Sequence, residues 1–153
     1  MEAVQSGAKR QAPAGQPAGL DPVVETWRAV AACHAAACAA LERELGRRHG
    51  LGVSEFEVLE RLAESSEHKF RAQELAETVH LSQSALSRLI GRLEGHGLVE
   101  RGLCDMDRRG IYVLLTEAGR QRHAEAARTH RAVLASVLPA EMPALLPRHG
   151  PGG

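Results

Sequence analysis

An apolar seam with alternating steps of four and three residues, Leu20, Val24, Trp27, Ala31, His34, Cys38, Leu41 and Leu45, is the strongest constraint on what this chain can fold into. The spacing predicts one long helix with a single buried stripe. A helix of about 25 residues spans about 40 Å, longer than a domain of 153 residues can cover by itself. The helix is therefore expected to pack against a partner chain. With 44% hydrophobic residues, the rest of the chain can bury a core of its own without disulfide staples.

Residues 1–19, with Pro13, Pro17, three glycines and no periodicity, read as a disordered arm. Gly50 and Gly52 end the long helix. A second helix is expected to start with Ser54 as N-cap, Glu57 completing a capping box and Val53 stapled to Val58. Phe56, Leu59, Leu62 and Ala63 form its inner face. Its outer face carries Glu55, Glu57, Glu60, Glu64 and Glu67 against Arg61 alone, so it should turn away from phosphate.

Residues 71–80 predict a short helix with Leu75, Ala76 and Val79 inward. Leu81-Ser82 restarts the chain as another, with Ser82 capping, Leu81 stapled onto Leu86, and Leu86, Leu89, Ile90 and Leu93 buried. Gly95 and Gly97 terminate it. Two short helices across a tight joint are the footprint of a helix-turn-helix. After Gly97 the period becomes extended, and residues 98–103 and 110–115 predict a hairpin with a charged tip at 104–109. Thr116 then caps a second long helix through about Leu138, with Ala126, Ala127, His130, Val133, Leu134, Val137 and Leu138 as its inner stripe. Pro139, Pro143 and Pro147 forbid another long helix after it. The fold class is mainly α with a small β-hairpin wing: a winged helix-turn-helix flanked by long N- and C-terminal helices.

Composition excludes several function classes. No apolar run approaches the roughly 18 residues of a membrane span. Lys9 and Arg10 are followed by a Pro/Gly/Gln-rich stretch rather than an apolar one, so no secretory signal is visible and a cytoplasmic chain is expected. Four aromatics, Trp27, Phe56, Phe70 and Tyr112, are too few for base-stacking platforms. Cys33, Cys38 and Cys104 form no C-x-x-C pair and are expected as reduced thiols. Nineteen basic residues balance nineteen acidic ones, which gives no global pull toward nucleic acid; 17 of the basic residues, however, are Arg, suited to bidentate contacts with phosphate and guanine. There is no phosphate-binding glycine loop, no G-x-S-x-G and no H-E-x-x-H, and neither an enzyme nor a cofactor is expected.

Residues 82–93 contain Arg88 and Arg92 and no acid, and their exposed side offers Ser82, Gln83, Ser84 and Ser87. Gln can bond adenine bidentately, Arg can bond guanine or phosphate, and Ser serves either. At the hairpin tip Arg108 and Arg109 can enter a narrowed minor groove or hold a phosphate, with Asp107 orienting its neighbour. Arg71, at the head of the first short helix, joins this contact set.

The run Ser82-Gln83-Ser84-Ala85-Leu86-Ser87-Arg88-Leu89, the segment Leu93 to Arg101, Asp107-Arg108-Arg109-Gly110 and Leu115-Thr116-Glu117-Ala118-Gly119-Arg120 together resemble the MarR family of bacterial transcription regulators over residues 20–138. The resemblance implies a homodimer with intertwined terminal helices, residues 20–48 and 116–138, around a DNA-binding lobe at 54–115, followed by a Pro/Gly-rich tail at 139–153. It implies a palindromic operator, with helix 82–94 in the major groove and wing 104–110 in the minor groove, and repression as the default. The competing reading is a winged-helix protein-interaction module, which suits the neutral charge and the acidic helix but has no need for an Arg-tipped wing.

MarR-like proteins commonly respond to a small molecule, a metal or an oxidant. Trp27, Arg28, His34 and Phe56 are the candidate pocket for a small aromatic or phenolic effector; the alternative for Trp27 is dimer core. His34 and Cys38, spaced i, i+4, can share a zinc ion, with His123 and His130 as further candidate ligands. The alternative is a buried thiol and a satisfied core imidazole. Cys104 beside Arg108 and Arg109 is the candidate for oxidation, without an obvious resolving partner.

Overall fold

The computed structural model describes Gly19 and residues 21–104 and 107–142; at the tip, Cys104 and residues 107–109 are described as backbone. The predicted N-terminal arm, the tail beyond Met142, and the side chains of Cys104, Asp107, Arg108 and Arg109 lie outside the described part.

Five helices and a small sheet follow in the order α1 Pro22–His49, α2 Val53–Glu64, β1 Lys69–Arg71, α3 Ala72–Thr78, α4 Gln83–Gly95, β2 Val99–Cys104, β3 Asp107–Leu115 and α5 Glu117–Val137. The mainly helical winged fold is as expected. Asp21 caps α1 by accepting from the Val23 N–H at 2.8 Å, with Pro22 in the first turn, and Gly50 closes it in the left-handed region at φ 66°. Leu138 is extended, at φ −84° and ψ 136°, because it precedes Pro139; α5 stops there.

Two local expectations change. The N-cap of α2 is Gly52, not Ser54, and Glu55 rather than Glu57 closes the box: its carboxylate accepts from the Gly52 N–H at 2.9 Å, while Glu42 of α1 takes the Val53 N–H at 3.1 Å. Leu51, 1% exposed, pins the linker so that the helix must begin early. The sheet also has three strands, in the order β1-β3-β2. Lys69–Arg71 is too short and too polar to show alternation, but it pairs antiparallel with β3 through Phe70 and Val113 and ties the helix-turn-helix to the wing.

The core lies beneath the helix-turn-helix. Phe56, Leu59 and Leu62 of α2 meet Leu75 and Ala76 of α3, Leu86, Leu89, Ile90 and Leu93 of α4, and Val99, Val113 and Leu115 of the sheet. Leu41 and Leu45 of α1 and Ala126 of α5 close it from the other side. At this end α1 and α5 are bolted together: Arg122 donates to the His49 carbonyl at 2.7 Å, and His49 Nε2 is 2.7 Å from Thr129 Oγ1. The seam of α1 divides. Ala37, Leu41 and Leu45 are buried, whereas Val23, Val24, Trp27 and Val30 are exposed, because α1 extends past the other described elements.

Candidate nucleic-acid interface

Helix α4 buries one face and offers the other. Leu86, Leu89, Ile90 and Leu93 point inward, which by helical periodicity leaves Ser82, Gln83, Ser84, Ser87, Arg88 and Arg92 outward and exposed. Ser82 caps the helix, accepting from the Ala85 N–H at 3.1 Å, with Ser84 Oγ 3.3 Å from its own hydroxyl. The joint before it needs His80 in the left-handed region at φ 56°, and Leu81 N–H donates to Ala76 O at 2.9 Å across the turn. Among the described residues Arg88 makes no ion pair, and its guanidinium faces solvent.

Gln83 stands where α3, α4 and the wing meet. With Arg71, Ala72, Gln73 and Ile111 it edges a cleft of about 220 Å³. Arg71 ends β1 half-buried, its guanidinium 5.8 Å from the Tyr112 ring centroid, and Lys69 lies 5.6 Å from the same ring. Tyr112 thus gathers two cations at the base of the wing, a cluster that sequence reading missed because nothing predicted β1. Asp107, Arg108 and Arg109 enter β3 as backbone opposite the end of β2.

Two arginines are engaged within the protein. Arg92 reaches α2, its Nε 3.0 Å from Glu55 Oε1, while remaining 58% exposed. Arg101 of β2, absent from the sequence-level contact set, donates from its guanidinium to the Ser87 carbonyl at 2.9 Å and pairs through Nε with Glu94 at 3.2 Å. Strand alternation could have found it: Arg101 shares a face with Val99, which packs into the core, and is registered against buried Val113.

Residues 49–110 match the model of the MarR family. AbsC, a MarR family transcriptional regulator from Streptomyces coelicolor, is 30% identical and superposes at a TM-score of 0.74 over 84% of this chain and 90% of its own. The chain belongs to the MarR family of transcriptional regulators. Sco3205, a MarR family transcriptional regulator from the same organism whose crystal structure is in complex with DNA, is 28% identical at a TM-score of 0.74, covering 80% of this chain and 82% of that one. CouR from Rhodococcus jostii RHA1, bound to p-coumaroyl-CoA, is 26% identical at a TM-score of 0.66, covering 82% and 86%. No curated protein sequence matches.

The sensor residues expected of this MarR-family chain are not gathered. Trp27, 68% exposed, and the exposed Arg28 and His34 lie on the overhanging part of α1, while Phe56 is wholly buried. They form no common pocket within one protomer, because the α1 seam runs off its own core before it reaches Trp27. The groove that α1 and α5 do form, about 350 Å³, is lined instead by Ala40, Arg43, Glu44, Arg48, Thr129 and Val133 among others. Glu44, held below the usual carboxylate range by its hydrogen bond to Arg47, takes Arg47 at 2.8 Å and Arg48 at 3.0 Å.

The four candidate metal ligands separate into two places. His34 Nε2 and Cys38 Sγ approach to 3.5 Å on α1. His123 and His130 lie on α5 against Phe56, their ring centroids 5.7 and 4.4 Å from its own, both nearly parallel to it. Among the described residues no three His, Cys, Asp or Glu side chains cluster to hold a metal ion.

The α5 histidines serve a structural link instead. His123 bonds Glu60 of α2 at 2.5 Å, and Arg131 holds the other oxygen at 2.8 Å. Burial pushes the Glu60 carboxyl up, but the His123 hydrogen bond and Arg131 outweigh it and hold its pKa below the usual value. His130 is pushed down chiefly by burial, and its Nδ1 is buried without a hydrogen-bond partner. Cys33 and Cys38 are free and half-buried on α1. No helix among the described residues is long and apolar enough to cross a membrane.

Proposed function

We propose that the chain is a dimeric, sequence-specific regulator that reads duplex DNA with helix 82–94 in the major groove and wing 104–110 in the adjacent minor groove. The observation that carries this reading is the outer face of α4: a rigid, capped helix whose apolar side is fully committed to the core and whose other side is polar, acid-free over residues 82–93 and open to solvent. Gln83, Ser84 and Ser87 read base edges, while Arg71, Ser82, Arg88 and the wing arginines Arg108 and Arg109, with Asp107 as their orienter, hold the backbone and minor groove. Arg92, already paired with Glu55, contributes as a tethered phosphate contact. That Sco3205, similar over 80% of this chain, is in complex with DNA in its crystal structure supports DNA as the partner.

The uncovered stripe Val23, Trp27 and Val30 continues in line with buried Ala37, Leu41 and Leu45, and a second copy is the occupant that matches it. Residues 20–48 and 116–138 then make the dimer, 54–115 the DNA lobe, and two half-sites about one helical turn apart form a palindromic operator. The regulation proposed is repression in the cytoplasm, by a dimer seated where its operator overlaps a promoter and excludes polymerase. For release we favour an anionic aromatic effector, a class consistent with the ligand bound to CouR.

Selection from a randomised duplex pool, followed by affinity measurement with sedimentation on the same sample, tests this. A selected palindrome, bound by two chains with strong salt dependence, is expected. Arg108→Ala should weaken operator and random DNA together, and Gln83→Ala should mainly relax base preference. Failure to enrich any sequence, or a folded monomer at micromolar concentration, refutes the reading and leaves the protein-interaction module.

A further inference from the structure

We infer that Arg101 is a positioning residue that locks the wing to the recognition helix, so that the two DNA-reading elements move as one body. The inference rests on the DNA-binding reading above. Arg101 makes three contacts to α4: its guanidinium donates to the Ser87 carbonyl at 2.9 Å, its Nε pairs with Glu94 Oε2 at 3.2 Å, and its own backbone N–H donates to Glu94 Oε1 at 3.2 Å. Ser87 and Glu94 are seven residues apart, so one side chain straps about two turns of helix to the strand. The flank beneath it is Gly91, where an added methyl group would lie in ordinary contact with the guanidinium at 4.0 Å.

Position along β2 gives the strap its purpose. Val99 and Arg101 face α4, and Arg101 is registered with Val113, which is 1% exposed. On the same face the next pair outward is Leu103 and Ile111, and these are 78% and 48% exposed. Arg101 is thus the outermost described residue of β2 with a polar hold on the helix before the ribbon projects free. Between strand and helix lies a cleft of about 250 Å³ lined by Gln83, Ser87, Leu86, Ile90 and Arg101 among others. Packing alone does not fill that gap, so the charged strap sets its width. A ribbon hinged here would present Arg108 and Arg109 at a variable distance from Gln83, and binding would cost the ordering of that motion.

The test uses the full chain and the palindrome it selects. In the Arg101→Ala variant, operator affinity is expected to fall about tenfold while random-DNA affinity stays within about twofold, since each element still touches phosphate by itself. Double-mutant cycles between Gln83→Ala and Arg108→Ala should show coupling in the parent and near-additivity in the Arg101→Ala background. Arg101→Lys, which can reach one partner but not hold both, should recover only part of the loss. Glu94→Gln, which spares Arg101 and removes the ion pair, should shift the same ratio in the same direction and guards against a variant that merely unfolds. Equal losses on operator and random DNA, with a salt slope reduced by about one, would mean that Arg101 touches phosphate and would overturn the inference. Unchanged operator affinity or unchanged coupling overturns it as well, and in either case DNA binding by the parent leaves the functional reading intact. If the parent selects no DNA, both fall together.

Discussion

Two glycine-to-alanine substitutions of identical chemistry should move stability in opposite directions. Gly46 lies in the last turns of α1 with nothing within 4 Å of where a Cβ would stand, so alanine there gains helix propensity of about 1 kcal/mol at no steric cost. Gly119 lies in the first turn of α5, and a Cβ there would overlap the Leu98 carbonyl oxygen and stand 2.7 Å from Leu115 Cδ1 and 3.0 Å from Leu98 C. Leu115 can rotate away, but the Leu98 peptide cannot. Its N–H donates to Leu93 O at 2.9 Å and its carbonyl accepts from Thr116 N at 3.1 Å. Relief requires the start of α5 to back away by about 1 Å, which stretches that bond and the one from Thr116 Oγ1 to Gly97 O at 2.7 Å. Overpacking at about 2 kcal/mol plus two weakened hydrogen bonds at about 1 kcal/mol each, less the propensity gain, leaves a loss of about 3 kcal/mol for Gly119→Ala. Urea unfolding at one fixed protein concentration measures both variants, and the midpoints should bracket the parent with an unchanged denaturant slope. Gly119→Ala within about 0.5 kcal/mol of the parent would mean that the contact of α5 with the Leu98 peptide yields freely, and the steric reasoning would be refuted.

Phe56→Ala removes the ring on which His123 and His130 both stack and should cost about 4 kcal/mol, with the loss read from the same urea curves; a cost under about 1 kcal/mol would show that the two histidines collapse into the space. On acidification, stability should fall in two stages. His130 binds its proton less readily folded than unfolded, so its share is complete above its ordinary value of 6.5 and is lost as pH drops from there through the lowered folded value; Glu60, also lowered, keeps its share above 4.5 and loses it below. His130→Gln should abolish the first stage and Glu60→Gln the second in midpoints measured from pH 8 to pH 2, and a first stage that survives His130→Gln assigns it to another group.

The helix-turn-helix was legible because its signals are local. Ser82 caps, Leu86, Leu89, Ile90 and Leu93 keep helical period, and Thr116 caps α5 through Gly119 N–H at 3.0 Å as its position implied. What escaped depends on contacts distant in sequence. Lys69–Arg71 is a strand only because Phe70 meets Val113 of β3. Glu55 rather than Glu57 closes the start of α2, a choice made where α1 supplies Glu42 to the next N–H. The effector set Trp27, Arg28, His34 and Phe56 is not brought together within one chain for the same reason: the heptad seam of α1 says which residues point one way, not how far along the helix the described core reaches.

The acidic second helix changes meaning most. From sequence, five glutamates against Arg61 read as a solvated face that repels DNA. In the structure Glu57 and Glu64 take Arg61, but Glu55 and Glu60, 13% and 14% exposed at their side chains, point to other elements. Glu55 holds Arg92 of α4, and Glu60 holds His123 and Arg131 of α5. Helix α2 is therefore the member that joins α5 to α4, through half-buried carboxylates on its two flanks. Two of the five glutamates are thus spent on basic residues of neighbouring helices, and Arg88 keeps its charge for solvent on the outer face of α4. In the dimer proposed above, a shift of α5 relative to a second copy would reach α4 through Glu60, α2 and Glu55. The pair of ion links gives such a shift a route of two named carboxylates, each removable singly by glutamine without emptying the core.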